Sequence, residues 1–349
     1  MTPRLYGSLS SGETVEAYTL KNRAGASVEI LTYGGTVTSL RMPDRQGRMA
    51  DVVLGFSDLG GYLESRSYCG AIIGRIAGRV SAGEFSMDGR THALARNDHA
   101  NHLHGGHRGL DKRVWTARPA HRKDGVSSLR LSYASPDGEE GYPGNVEIAV
   151  TYTLTPSNEL IVESEATADR VTPLSLTNHS YFNLAGEGSG TILGHEMQIL
   201  AEDYVPADDA MTLSGNREPV AGRGADFRRP RLLKEALPTL FRAHGDLYLL
   251  RAPGAPAPPA PTLVAHVAEA GTGRVLKVFT DESCLQFYTG AALNGAQAGK
   301  SGARYGPHSG FCLECQGYPN PSPGGAFGDI LVRPGRPQRR RTVYAFSTA

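Results

Sequence analysis

The chain has 349 residues, 40% of them hydrophobic, with 36 Lys and Arg against 35 Asp and Glu. That near-balance excludes a nucleic-acid binder that works by neutralising phosphates, and no apolar run is long enough to span a membrane. The first residues, MTPRLYGSLSSGETVEAY, lack the apolar stretch of a signal peptide, and four scattered cysteines do not make a disulfide scaffold, so a cytoplasmic protein with reduced thiols is expected.

Short period-two alternations recur from the N-terminus onward. Ser27–Leu31 and Thr36–Leu40 flank a Tyr33-Gly34-Gly35 turn. Gly74-Arg75-Ile76-Ala77-Gly78-Arg79-Val80 is glycine-rich but lacks the spacing of a phosphate-binding loop. Its two arginines stand in an apolar stretch, where an unpaired guanidinium is rare. One could bond a ligand and the other hold a structural carboxylate; their spacing does not decide which. Asn101-His102-Leu103-His104-Gly105-Gly106-His107 packs three histidines into a loop. Metal binding is one reading, but the helix that organises an H-E-x-x-H site is missing. Hydrogen bonding to a small ligand is preferred, with a solvated loop as the alternative.

Ser128–Tyr133 leads into a Pro136-Asp137-Gly138 turn, and Val146–Leu154 and Glu159–Ala166 form a hairpin across Thr155–Asn158. His179 follows the apolar Leu174–Asn178 run and precedes Tyr181 and Phe182. Leu232–Leu240 has room for one or two helical turns, stopped at Pro238. Residues 252–262 carry Pro253, Pro256, Pro258, Pro259 and Pro261, which cannot sit in a ladder, and are read as a surface loop. Gln286 lies between Leu285 and Phe287-Tyr288; its amide offers donor and acceptor to hydroxyls, and Tyr181, Phe287 and Tyr288 could stack on a sugar ring or fill the core. Glu314 follows Gly310-Phe311-Cys312-Leu313. Burial there raises a carboxyl towards neutrality, which suits a general base. Cys312 and Cys315 lack the partners of a zinc or thioredoxin-like site. Arg339-Arg340-Arg341, beside strand-like Thr342–Phe346, reads as a solvated face or an edge. With 43 Gly and 22 Pro to supply turns and no long helical period, residues 1–349 are expected to form a single all-β sandwich domain.

In order and spacing, these pieces resemble the aldose 1-epimerases, or galactose mutarotases. The resemblance runs from Tyr18-Thr19-Leu20-Lys21-Asn22 through Leu103-His104-Gly105-Gly106, Thr177–Leu184, Leu285–Gly290 and His308–Gln316 to Thr342-Val343-Tyr344. It implies a large antiparallel β-sandwich of the galactose mutarotase type, no cofactor or metal, and a small-molecule aldose as partner. It also implies that His179 is the proton donor, Glu314 the base, and Arg79, His104 and Gln286 sugar contacts; Tyr181, which could stack on the ring, is added to the expected contacts. Two departures bear on sugar selectivity. Gly78 stands where the family has Asn. The family Asp that binds sugar hydroxyls falls on Gly245 without gaps and on Asp246 with one deletion; Asp246 is taken as the contact. The alternatives are a non-catalytic sugar-binding or regulatory protein, and an epimerase of a phosphorylated or otherwise modified sugar.

Overall fold

Along Val146–Leu154, the side chains of Val146, Ile148, Val150, Tyr152 and Leu154 are at most 2% exposed, while Glu147 is open to solvent. Each such burial contributes about 1.5–3 kcal/mol, and a one-residue slip would turn the whole row outward, so the alternation sets the register. The expected hairpin to Glu159–Ala168 closes with Leu154 opposite Leu160. In the computed structural model, which describes residues 2–121, 126–209, 211–252, 255–319 and 330–349, these strands belong to a nine-stranded sheet. Its order is Thr116–His121, Ser127–Ser135, Val146–Leu154, Glu159–Ala168, Gln338–Thr348, Arg274–Thr280, Thr262–Glu269, His195–Ile199 and Arg231–Leu232.

Two further large sheets have five strands each, beside four two-stranded pairs among the described residues. One is an N-terminal meander from Arg4–Ser8 to Met49–Asp51. The other runs Glu218–Pro219, Asp203–Val205, Leu247–Leu249, Cys284–Tyr288 and Cys312–Gln316. One core joins all three. It takes Leu20, Val28 and Leu40 from the meander, Leu129, Val150 and Tyr344 from the large sheet, and Leu285, Phe287 and Leu313 from the third. The chain is therefore the large antiparallel β-sandwich that its patterning predicts.

Three local expectations change. Helical turns do form at Leu233–Ala236, but Pro238 does not stop them; it sits in the first turn of a 3-10 segment, Leu237–Thr239, where a missing N–H costs little. Arg339–Arg341 lies on a central strand, so the edge alternative falls and the solvated face stands for Arg339 and Arg341; the three guanidinium groups face Glu165, Glu282 and Glu163. The proline-rich connection joins Leu247–Leu249 to Thr262–Glu269, so Thr262 already belongs to a strand; Pro253 and Gly254 lie outside the described residues.

Arg75 is structural, and its partners are mainly main-chain carbonyls, not a carboxylate. Only 2% exposed, it donates to the carbonyls of Pro143, Ser135, Pro136 and Gly144 and to the hydroxyls of Ser135 and Thr172, at 2.8–3.4 Å. It thereby folds the 135–144 turn against the strand end. Arg75→Leu leaves three buried carbonyls, of Ser135, Pro143 and Gly144, without that donor and is expected to cost about 3–5 kcal/mol in urea unfolding.

Candidate active site

The third sheet places the chemistry. Cys284–Tyr288 and Cys312–Gln316 pair with Gln286 opposite Glu314 and Tyr288 opposite Cys312. Strand alternation then sends Gln286, Tyr288, Cys312, Glu314 and Gln316 to one face, and Leu285, Phe287, Leu313 and Cys315 into the core. Phe287 is thus a core residue. The two cysteines of the C-x-x-C pair point to opposite faces, and both are free thiols.

His179 reaches this face from a neighbouring segment. Thr177–Asn178 pairs with Ile72–Ile73. The His179 N–H then donates to the Ala71 carbonyl, and its own carbonyl accepts from Gly70, both at 2.9 Å. Three residues on, Phe182 and Phe311 exchange backbone hydrogen bonds of 2.7 and 3.0 Å, which ties the histidine segment to the strand carrying Glu314. His179 Nε2 consequently stands 3.6 Å from Glu314 Oε1, with both side chains at most 4% exposed. Cys312 Sγ lies 3.5 Å from the other ring nitrogen, Nδ1. Burial drives Glu314 up to about 8, slightly opposed by Arg79, and drives His179 down to about 4. Glu314 Oε2 is buried with no hydrogen-bond partner among the described residues. An unpaired buried carboxyl oxygen is costly, so this atom is set to receive a ligand proton.

These groups line a cavity of about 200 Å³, together with Arg79, His104, Tyr181, Gln286 and Tyr288. Arg79 is held through Nε by Asp98 at 2.6 Å. The Gln286 amide donates to the Phe287 carbonyl at 2.9 Å, which leaves its own carbonyl as an acceptor for hydroxyls. Tyr181 packs 5.1 Å from the His179 ring and 5.9 Å from Tyr288, forming an aromatic wall. Asp246 is the exception and does not line the cavity. Leu247 pairs with Gln286, so Asp246 falls on the opposite face, level with Phe287 and in line with Tyr248.

The three loop histidines part company. His102 is buried between the Ala95 carbonyl and the Tyr142 hydroxyl, His107 is exposed, and His104 enters the cavity. His104, His179 and Glu314 offer ligand atoms within 4.8 Å of one another, a metal-like grouping. However, His104 Nδ1 accepts from the Gly78 N–H at 3.1 Å. In the neutral ring, which burial and the nearby His179 and Arg79 favour, the proton then sits on Nε2 and makes it a donor to the cavity. Gly78 supplies this bond at φ +86°. A Cβ there would stand 2.9 Å from Pro319 Cγ and 3.2 Å from Gln316 Nε2, so the space for an Asn side chain is already filled.

Several cavity residues escape the sequence reading. Tyr68 stacks on His179 with ring centres 6.0 Å apart and meets His104 edge-on; no local pattern marks it. Asp98, the partner of Arg79, is equally unmarked. Gln316 was within reach, since it is two residues beyond Glu314 on a strand and must share its face. His244 also lines the cavity.

Fold and site together define a β-sandwich protein with a buried histidine–glutamate pair on the wall of a small polar cavity. Comparison with known proteins narrows the class. Residues 16–345 match the family model described as aldose 1-epimerase. The chain is 44% identical over 350 residues to the galactose mutarotase of Homo sapiens, covering 100% of this chain and 99% of that one. It is 33% identical to the aldose 1-epimerase of Escherichia coli, covering 96% of each. Its structure matches the GalM/aldose epimerase homologue from C. elegans with a TM-score of 0.86 at 28% identity, over 96% of this chain and 99% of that one. The chain belongs to the aldose 1-epimerase family and is an isomerase.

Proposed function

We propose that this protein interconverts the α and β anomers of a free aldose, with galactose and glucose as the first candidates. Glu314 takes the proton of the C1 hydroxyl while His179 gives one to the ring oxygen. The ring opens, the C1–C2 bond rotates, and the ring closes on the other face with the roles reversed. The observation that carries this reading is the unpartnered Glu314 Oε2 in a carboxyl group whose other oxygen lies 3.6 Å from the histidine. A proton leaving a hydroxyl has an acceptor there, and a proton source stands beside it. Arg79, His104, Gln286 and Tyr181 orient the sugar. Positioning plus paired acid–base catalysis of roughly 10²–10⁴-fold per group accelerates a reaction that already proceeds in water. The four buried free cysteines suit a reducing compartment, which favours a cytoplasmic location.

The test is polarimetry on freshly dissolved α-galactose, glucose, xylose and arabinose. Acceleration of at least one sugar is expected; equilibrium binding with no acceleration of any would leave a sugar-binding protein. The pH profile supplies a second expectation. With His179 lowered to about 4 and Glu314 raised to about 8, the pair holds one proton between those limits, mostly on Glu314, and the reacting form is the minor one with that proton on His179. Below them both groups are protonated and no base remains; above them both are bare and no acid remains. A bell with limbs near those values is expected in kcat/KM for the free enzyme.

A further inference from the structure

Asp246, the residue that the family resemblance nominates for a sugar contact, faces away from the cavity, and a histidine two positions earlier faces into it. We infer that His244 is the specificity-determining contact on this wall, meeting a sugar hydroxyl with a neutral imidazole where the family pattern has a carboxylate. This inference rests on the aldose reading above.

The local backbone makes the placement. Arg242 and Ala243 take φ of +50° and +52°, and Gly245 takes +105°. A Cβ on Gly245 would stand 2.3 Å from the Phe287 carbonyl oxygen, so only glycine lets the turn close on the neighbouring strand. The His244 N–H donates to Phe241 at 3.0 Å, and its carbonyl accepts from Thr289 at 2.9 Å. The ring then lies on Tyr288, with centres 4.5 Å apart, at the cavity that also holds Arg79 and Glu314. Burial and the Arg79 charge keep the imidazole uncharged, lowering it to about 4.

The chemical consequence is specific. An ionised carboxylate only accepts hydrogen bonds and can serve two hydroxyls. A neutral imidazole offers one donor and one acceptor. It also adds no second negative charge beside Glu314, whose ionisation the mechanism uses. Among aldoses that differ at one carbon, the sugar whose hydroxyl reaches this wall gains a bond that its epimer lacks.

The experiment compares wild type, His244→Phe, His244→Gln and Asp246→Asn. Phenylalanine keeps a ring on Tyr288 and removes both polar atoms; glutamine restores one donor and one acceptor. For H244F, KM for the preferred sugar should rise about tenfold with kcat within about threefold, and kcat/KM ratios across galactose, glucose, mannose and xylose should change by more than about threefold in at least one pair. H244Q should recover part of the KM, and D246N should leave KM unchanged per folded molecule. Unchanged KM and ratios in H244F, or an equal loss for every sugar, overturns the inference, as does a KM increase in D246N that matches H244F. Calorimetric titration of galactose into wild type and H244F keeps the two readings apart. Binding that weakens in H244F, in a wild type without turnover, defeats the enzyme reading alone.

Discussion

Glu314→Gln should lose about 10²–10⁴-fold or more in mutarotation rate and at the same time make the folded protein more stable above neutral pH. The two effects share one cause. Glu314 is 2% exposed, and burial raises it from the ordinary carboxyl value of 4.5 to about 8. A folded-state value above the unfolded one means that the native state holds the proton more tightly. The stability that this represents is fully present below the unfolded value. It is lost as pH rises towards the folded one, where the native state must bury a charge or remain protonated at a cost. Gln has the same shape and never ionises. The stability gap between E314Q and wild type is therefore expected to open from about pH 4.5 and level off near pH 8, reaching about 2–4 kcal/mol in urea titrations. Wild-type-like polarimetric rates in this variant would remove Glu314 from the base role. A gap that does not change with pH would show that its carboxyl is not desolvated as the geometry requires. Sugar binding should survive, because Arg79, His104 and Gln286 are untouched.

His179→Gln is expected to cost a similar factor of about 10²–10⁴ through a different symptom. The variant keeps the base but loses the group that gives a proton to the ring oxygen, so the alkaline limb, which reports loss of the acid, should vanish, and the acid limb should move from near 4 to the Glu314 value of about 8. Its stability effect has the opposite sign with pH. The folded His179 value lies below the ordinary imidazole value of 6.5, so wild type loses stability as pH falls from 6.5 to about 4, and the variant does not. Wild type and H179Q should unfold alike at pH 8 apart from a constant offset, and diverge in acid. Retention of an acid limb near 4 in H179Q would assign that ionisation to another group. His244 is the first alternative, since it faces the same cavity and is also lowered to about 4.

Much of the fold and the reacting pair was legible in the chain. Alternation over Val146–Leu154 and Glu159–Ala168 fixes strands, register and hairpin because every second side chain must leave water. Glu314 is conspicuous because a carboxylate after the apolar Gly310–Leu313 text has no local partner, and among the described residues the tertiary structure brings His179 to 3.6 Å from it. Arg75 and Arg79 could not be separated by spacing. One turns inward to main-chain carbonyls and the other to Asp98, and those partners come from the 135–144 turn and from a loop nearly twenty residues away. A gap placed by sequence similarity alone chose Asp246, whereas strand parity, set by pairing with Cys284–Tyr288, turns it away.

By itself, then, the sequence determined an all-β sandwich and its hairpins and marked Glu314 as an unusual carboxyl, because periodic burial and the cost of a lone buried charge act on local text; His179 was nominated as its partner only through the family resemblance. The tertiary structure alone decided which side chains share the cavity with that pair. Strand alternation admits only every second residue of Cys284–Tyr288 and Cys312–Gln316, and the tight turn at Gly245 brings in His244 in place of Asp246. Such choices depend on which strand lies beside which, and a pairing partner leaves no mark on the residues it selects.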